Sequence, residues 1–459
     1  MVNQQILALC NQYQALILSE DPALHIAIAP NPPAQFFEAL RFICDKPVNI
    51  EYWPAEQLEK NRHSRLPTGP DEPQENTAPV VQLLQETLLK AIQLRASDIH
   101  FEPIEQGYQI RFRVDGVLQL QPLLPTHLAA PLTARLKVLG NLDIAERRLP
   151  QDGQMSVDIE QHKCSFRIAT LPVYHGEKVV LRLMSQTEQT FELTELGMTP
   201  ADCARFQQAL ANPQGMILVT GPTGSGKTIT LYSALTILNQ TSSNVCSVED
   251  PIEIPMRGLN QTQINSKAGL SFQSVLRALL RQDPDIIMVG EIRDGDTAEI
   301  AIKAAQTGHL VLSTLHTNST AETVVRLEQM GVERWILASA LNIVVAQRLV
   351  RKLCPHCKQR HPDDIIVPTT IWGNALPRWQ TVGCKRCYCG FYGRSALFEI
   401  LIVSPSLQSA ISRGISASEI ETLARQQGMT TLFESGCLAV EEGLTTLEEL
   451  YRVLGVPHG

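Results

Sequence analysis

Positive charge is in short supply. The 459-residue chain carries 39 Lys and Arg against 47 Asp and Glu, a formal net charge of −8 with a pI of about 5.8. A surface that neutralises nucleic-acid phosphates usually has the opposite balance, so no direct contact with nucleic acid is expected. Long apolar runs are missing too. Nowhere do about 20 apolar residues stand together, so no membrane span is expected. The opening MVNQQILALCNQYQALILSE has no basic n-region and no small-residue cleavage site, which argues against a signal peptide. A cytoplasmic protein is expected, one still able to dock on a membrane machine. Without an export signal, the 11 cysteines point to metal rather than disulfides.

What is present is enough apolar material for sizeable cores, 44% of residues. The length allows roughly two to four domains at ~100–200 residues each. Residues 1–62 read as a small, partly helical unit with no recognisable chemistry. Residues 63–78, HSRLPTGPDEPQENTA, have linker composition. Residues 79–187 read as helix, strands, helix, strands. Asp115-Gly116 between YQIRFRV and VLQLQPL is a hairpin signal. Residues 188–350 alternate short apolar runs (MILVT, IIMV, HLVLSTLH) with helical segments, the pattern of a parallel sheet covered on both faces. Residues 351–395 hold two CxxC pairs, and 396–459 read as helical.

Gly221-Pro222-Thr223-Gly224-Ser225-Gly226-Lys227-Thr228 fits the phosphate-loop pattern G-x-x-x-x-G-K-[ST], between an apolar run and a helix. Glycines let the backbone curl so that several N–H groups meet phosphate oxygens, and the following helix offers its N-terminus. Lys227 is expected on the β and γ phosphates of ATP, and Thr228 on Mg²⁺. Glu291 stands just past IIMV, where ligands bind at the carboxyl ends of strands. It is expected to polarise the attacking water or to hold the metal through water. Arg293 and Asp294 crowd beside it. Glu249, Asp250 and Glu253 offer further carboxylates for Mg²⁺ or water. His316 can sense the γ phosphate or pass a proton, and a packed structural histidine is the plainer alternative; His309 is weaker.

Phosphoryl transfer needs more positive charge than one lysine, and such enzymes often borrow arginines across a boundary. Arg111 and Arg113 share one strand face, where they repel unless an anion lies between them. Arg167 and Arg182 are weaker candidates. Arg277 and Arg281 stand four apart on a helix, to contact phosphate or simply to pair with carboxylates. Cys354, Cys357, Cys384 and Cys387 form two CxxC pairs separated by 26 residues. Four thiolates make a closed, structural Zn²⁺ site that would help fold its own segment. An iron–sulfur cluster or a redox pair is the alternative, and His356 and Cys389 are spare ligands.

Taken together these residues resemble the secretion ATPases of type II secretion and type IV pilus assembly, over roughly residues 79–459. The resemblance rests on ASDIH at 96–100, RFRVDG at 111–116, RRLPQDG at 147–153, the phosphate loop, EDPIE at 249–253, LLRQDPDIIMVGEIRD at 279–294, TGHLVLSTLHTN at 307–318, and QRLV at 347–350 leading into the cysteines. It implies an α/β fold: a RecA-like P-loop NTPase core, a preceding PAS-like α+β domain and a small zinc-containing region. It also implies a ring-shaped homo-oligomer, a hexamer, at the inner face of the inner membrane. ATP hydrolysis would there swing the preceding domain and drive a polytopic platform protein that adds pilin or pseudopilin subunits. Arg111 and Arg113, and by position Arg281, would help close the nucleotide site. Retraction members generally lack the four cysteines, so assembly is expected over retraction or DNA transfer. A nucleotide-gated subunit with little turnover is the rival of a different class. The segment before the linker is short for this family, which leaves its docking mode open.

Overall fold

The computed structural model describes parts of the first 58 residues and then residues 77–159, 162–184, 192–367 and 372–456. Most of the expected linker lies outside the described residues. The chain divides into two compact units, residues 1–79 and 80–459.

The first unit has helical residues, as at Phe36 and Phe37, and adds strands that the sequence reading did not name. It holds a three-stranded sheet of β1 (Leu16–Ser19), β2 (Leu24–Ile28) and β3 (Val48–Tyr52). β2 pairs antiparallel with β1 and parallel with β3. Strands of four or five residues carry too few alternations to stand out in a sequence. Ile26, Ile28 and Phe36 form its core.

From Val80 on, the second unit holds most of α1 (Thr77–Gln93), then β4 (Ala96–Ile104), β5 (Gly107–Val114), β6 (Val117–Leu120), α2 (Ala129–Leu139), β7 (Gln151–Ile159), β8 (His162–Val173) and β9 (Gly176–Met184). The strands make one antiparallel sheet in the order β6-β5-β4-β9-β8-β7. The β5–β6 hairpin turns on Asp115 and Gly116, both at positive φ (49° and 86°), as a two-residue primed turn requires. Strand alternation sorts the residues. Ile99, Phe101, Ile110, Phe112 and Leu181 face the core with Leu84 and Leu88 of α1 and Leu136 of α2. Asp98, His100, Glu102, Arg111, Arg113 and Arg182 take the alternate positions, on the other face.

The core domain follows: α3 (Pro200–Leu210), β10 (Gly215–Thr220), α4 (Lys227–Leu238), β11 (Val245–Glu249), β12 (Asn260–Gln263), α5 (Phe272–Leu279), β13 (Ile286–Val289), α6 (Gly295–Gln306), β14 (Leu310–Leu315), α7 (Thr320–Gln329), α8 (Arg334–Ala340) and β15 (Leu341–Leu353). The sheet runs β12-β11-β13-β14-β10-β15 and then β18 (Phe391–Ile402), parallel except for that last strand. Every residue of β10, β13 and β14 is buried, which is why these strands read as unbroken apolar runs. Met216 and Leu218 pack toward Leu276, Ile302 and Leu327. Ile217 and Val219 pack on the opposite face toward Phe206, Leu231 and Leu235.

The sheet does not stop at residue 350. β15 continues to Leu353 and pairs antiparallel with β18 (Phe391–Ile402), Ile343 opposite Ile402 and Leu353 opposite Phe391. The four-cysteine segment, with β16 (Lys358–Arg360) and β17 (Trp379–Thr381), is an insert between these two strands. Helices α9 (Pro405–Ser412), α10 (Ala417–Gln426), α11 (Leu432–Glu441) and α12 (Leu447–Leu454) finish the fold. Ser404, Ser416, Thr431 and Thr446 N-cap them, each contributing about 1 kcal/mol. The insert grips the α11–α12 turn: Trp379 Nε1 donates to Val440 O (2.8 Å) and Lys358 Nζ to Gly443 O (2.7 Å). Among the described residues no helix is long and apolar enough to cross a membrane.

Candidate functional site: a phosphate loop, a paired glutamate and four thiols

The carboxyl edge of the parallel strands collects the expected chemistry. β10 runs into the phosphate loop, β11 into Glu249, β13 into Glu291 and β14 into His316. Gly221, Gly224 and Gly226 all have positive φ (147°, 81° and 90°). A Cβ on Gly221 would lie 2.5 Å from Gln347 O, and one on Gly226 would lie 2.8 Å from Gln347 Nε2. The loop is therefore pressed against β15, and only glycine fits.

Lys227 opens α4 and is buried. Its Nζ donates to Gly221 O (2.8 Å) and Pro222 O (3.0 Å), so it lies folded over the loop. Burial pulls its ammonium down to about 8; nearby Arg348 adds to the shift and Glu291 opposes it. The buried Ser225 hydroxyl has no hydrogen-bond partner among the described residues. An orphaned hydroxyl, a glycine cradle and a desolvated lysine at a helix N-terminus are a donor set that fits a polyphosphate. Thr228, one residue into α4, is exposed and free to offer its hydroxyl to a metal.

Glu291 lies two residues past β13. Its carboxylate sits between Arg293, which donates to Oε1, and His316, whose Nε2 is 3.4 Å from Oε2. Burial alone would raise its carboxyl, but Arg293 and His316 together outweigh burial and hold it below the ordinary range. The group is an anion at neutral pH, able to accept a hydrogen bond from water. Gly290 N donates to Val248 O (2.8 Å) and Thr314 Oγ1 to Gly290 O (2.8 Å), which fixes the turn.

The crowd around Glu291 separates into distinct jobs. Asp294 caps α6 and does not approach Glu291: it accepts from Thr297 N (2.9 Å) and Gln273 Nε2 (3.0 Å). Glu249 is buried and accepts from Tyr232, Ser247 and Gln261. Asp250 and Glu253 are exposed. His309 Nδ1 meets Ala304 O (3.0 Å), a local contact at the foot of β14.

The arginines of the preceding domain already have anions. Arg111 grips Glu102 with Nε and Nη2 (2.6 and 2.8 Å). Lys178 approaches the same carboxylate (2.8 Å). Burial raises the Glu102 carboxyl, and Arg111 with Lys178 overrides it to bring it to about 2. Arg182 Nε bonds Asp98 (2.8 Å), and Arg113 stands farther from it (3.7 Å) with a bond to Gly116 O. Arg167 is 3.9 Å from Asp152. Arg281 is exposed and lies two residues past the end of α5, not on the helix as expected, where it donates to Arg277 O in the helix's last turn. The hairpin tip touches the core: Gly393 N donates to Asp115 Oδ2 (3.1 Å), and Arg95 lies 3.7 Å over the Tyr392 ring. Because β18 is antiparallel, that contact is at the phosphate-loop edge of the sheet.

The four cysteine sulfurs lie within 4.8 Å of one another. Cys354–Cys384 is 3.8 Å, Cys357–Cys387 3.6 Å and Cys384–Cys387 3.6 Å. A tetrahedron with Zn–S bonds of ~2.3 Å has edges of ~3.8 Å, so the set fits zinc. Cys389 lies outside the cluster, and His356 instead faces Arg386 (3.4 Å).

Sequence reasoning quoted Gln347 and Arg348 without assigning them work. Thr230 Oγ1 donates to Gln347 Oε1 (2.7 Å), and Arg348 donates to Asn318. Two large polar side chains within the apolar run LNIVVAQRLV were the available signal.

A P-loop nucleotide-binding protein of the α/β class is what this sheet and loop define. The comparisons with known proteins then fix the family: the chain matches the family model described as "Type II/IV secretion system protein" over residues 73–452, and it belongs to that family. It is 58% identical over 456 residues (99% of each chain) to "Protein transport protein HofB homolog" of Escherichia coli (strain K12). It is 47% identical over 385 residues (82% of this chain, 68% of the relative) to "Type IV pilus assembly ATPase PilB" of Pseudomonas aeruginosa. Among solved structures, the ADP-bound pilus retraction motor PilT matches with a TM-score of 0.53 and 27% identity, covering 82% of this chain and 97% of that one.

Proposed function

We propose that this chain hydrolyses ATP as the motor that assembles a type IV pilus or a type II secretion pseudopilus. The observation that carries the reading is the ionised Glu291, held by Arg293 and His316 at the same sheet edge as the phosphate loop. In this reading the loop amides and Lys227 bind the triphosphate, and Thr228 would hold Mg²⁺, which would supply charge neutralisation there. Glu291 orients a water in line with the γ phosphorus and accepts its hydrogen bond. The water's oxygen bonds to phosphorus as the bond to the bridging oxygen breaks, its proton passes to the Glu291 carboxylate, and ADP and inorganic phosphate leave. His316 senses the γ phosphate from the far side of Glu291. Glu249 serves through Tyr232 and Ser247 as a brace beneath Gly290 rather than as a metal ligand. Arg111, Arg113 and Arg281 act across a boundary between domains or subunits.

The four-cysteine cluster supports a zinc-stapled assembly motor over a retraction motor. Rings, with six subunits as the expected number, would form at the inner face of the inner membrane on a polytopic platform protein. E291Q keeps the shape and removes the charge. It should lower kcat by about 100-fold or more while leaving nucleotide binding in place. Equal turnover by wild type and E291Q would refute the assignment. A rate per subunit that stays flat from monomer to ring would refute the cross-boundary arginines.

A further inference from the structure

Arg348 is buried, yet among the described residues it has no carboxylate at ion-pair distance. It donates from Nη1 to Gln347 O (3.0 Å) and from Nη2 to Asn318 O (3.1 Å) and Asn318 Oδ1 (3.2 Å). All three acceptors are neutral. Glu399 and Glu322 act on it only over longer range. Glu399 is itself taken by Thr320 N (2.8 Å), Thr320 Oγ1 (2.7 Å) and Leu432 N (3.2 Å). A guanidinium has five N–H donors, so three bonds do not exhaust it. A buried cation without an anion is costly, and such a charge calls for an anionic partner that arrives from outside.

The position says which anion. β15 pairs with β10 in parallel, Ala346 beside Thr220, so Arg348 comes alongside the first residues of the phosphate loop. Its Nη1 is 3.1 Å from where a Cβ of Gly221 would stand. With Pro222 and Asn318 it lines one end of a cavity of about 800 Å³ whose other walls are Glu399 and the C-terminal helices, among them Glu421, Arg425 and Glu434; the contact with the loop itself is the approach to Gly221. Asn318 belongs to the segment that carries His316, the partner of Glu291. The N-terminus of α4 and the amides of Gly224–Gly226 are the expected seat of the inner phosphates. Arg348 lies at the other end of the loop, between its entry and the His316 segment.

We propose that Arg348 is a positioning residue for the terminal phosphate: its charge favours a triphosphate over a diphosphate, and Asn318 transmits that preference to the His316 segment. This rests on the reading that the loop takes ATP. The test uses the full chain and two nucleotides, ADP and the non-hydrolysable imido analogue of ATP. Arg348→Met keeps the buried stem and removes the charge; Arg348→Lys keeps the charge. R348M should weaken binding of the ATP analogue about tenfold and of ADP less than about threefold, and should lower kcat, with R348K between R348M and wild type. Equal weakening for both nucleotides, no weakening, or R348K matching R348M would overturn the proposal. Should R348M fail to melt cooperatively, Asn318→Ala decides: it removes the side-chain anchor and keeps the charge. A smaller triphosphate preference in N318A is expected, and an unchanged one overturns the proposal. A wild type that binds both nucleotides without turnover would sink the hydrolysis reading and leave this comparison intact.

Discussion

Lys227 should take up a proton when nucleotide binds at alkaline pH. Burial beside Arg348 lowers its ammonium from 10.5 to about 8 in the free chain. A phosphate placed on Nζ supplies the opposite charge and raises it again. At pH 8.5 a group of pKa about 8 is ~25% protonated, so full protonation on binding takes up ~0.75 proton per ADP; at pH 7 the same step takes up only ~0.1. ADP has no ionisation of its own near 8.5, so the uptake belongs to the protein. Titration calorimetry in two buffers of different ionisation enthalpy reads it directly. Lys227→Met should abolish the uptake, with weaker binding. The free chain carries the matching stability signature. The unfolded chain holds more protons than the folded one between pH 8 and 10.5, so stability should rise with pH across that window, by at most roughly 3 kcal/mol. Fewer than ~0.2 proton taken up at pH 8.5, or no increase from pH 7, would refute the account of Lys227 as a desolvated phosphate ligand.

Three further outcomes follow from the C-terminal part. The purified chain should contain one zinc per four-cysteine cluster, lost in the double variant Cys354→Ser, Cys384→Ser, which should expose the 355–383 segment to protease; a protein without metal that resists protease equally would refute the zinc staple. Gly443 has φ 65°, and a Cβ there would meet the Trp379 ring at 2.5 Å, so Gly443→Ala should cost about 1–3 kcal/mol by denaturant melting. Glu449 is buried between Arg452 and Arg351; burial raises its carboxyl, and the two arginines override that to bring it to about 2 from 4.5. The sign is that of a depressed acid: its stabilisation is present above pH 4.5 and lost as pH falls toward 2. Glu449→Gln should therefore cost roughly 3 kcal/mol at pH 7, and the gap to wild type should narrow when urea melts are repeated below pH 4.5.

The sequence showed most plainly those features whose physics is local. A strand buried on both faces must be apolar throughout, so MILVT and IIMV announce themselves, and a loop that cradles phosphate needs glycines at set spacing. Glu291 was legible because it follows such a strand directly. Partnerships across the sheet were not. Nothing within RFRV says that Arg111 meets Glu102 two strand-positions past His100, or that Lys178 shares the pair. Glu449 reads as an acid suited to a helix start. Only the packing of α12 on β15 puts it under Arg351. The pairing that spans the insert was hidden for the same reason: β15 passes smoothly into the cysteine segment, and its pairing with β18 bridges the whole of it. Arg348 showed only as a polar side chain in an apolar run, because its distinguishing property, burial without a carboxylate at ion-pair distance among the described residues, belongs to the packing.

The two arginines of the preceding domain are not equally able to serve a nucleotide. Each must give up its anion to reach a phosphate. Arg111 would break a two-point contact with Glu102, whose carboxyl its pull has helped bring to about 2. Arg113 has a looser hold. It stands 3.7 Å from Asp98, a carboxylate that already has Arg182 at 2.8 Å, and its remaining bond is to a turn carbonyl at Gly116. Each carboxylate keeps a cation at 2.8 Å, Arg182 on Asp98 and Lys178 on Glu102, but only Glu102 loses a two-point partner in the exchange. Arg113 is also two residues from Asp115, the point where the hairpin meets Gly393 at the phosphate-loop edge. The exchange of partners is therefore easier at Arg113. In a ring, Arg113→Ala should lower kcat by about tenfold or more with the fold unchanged, whereas Arg111→Ala should lower both kcat and melting temperature, because it strips Glu102 of its bidentate partner. The opposite pattern would mean that Arg111 is the residue that moves.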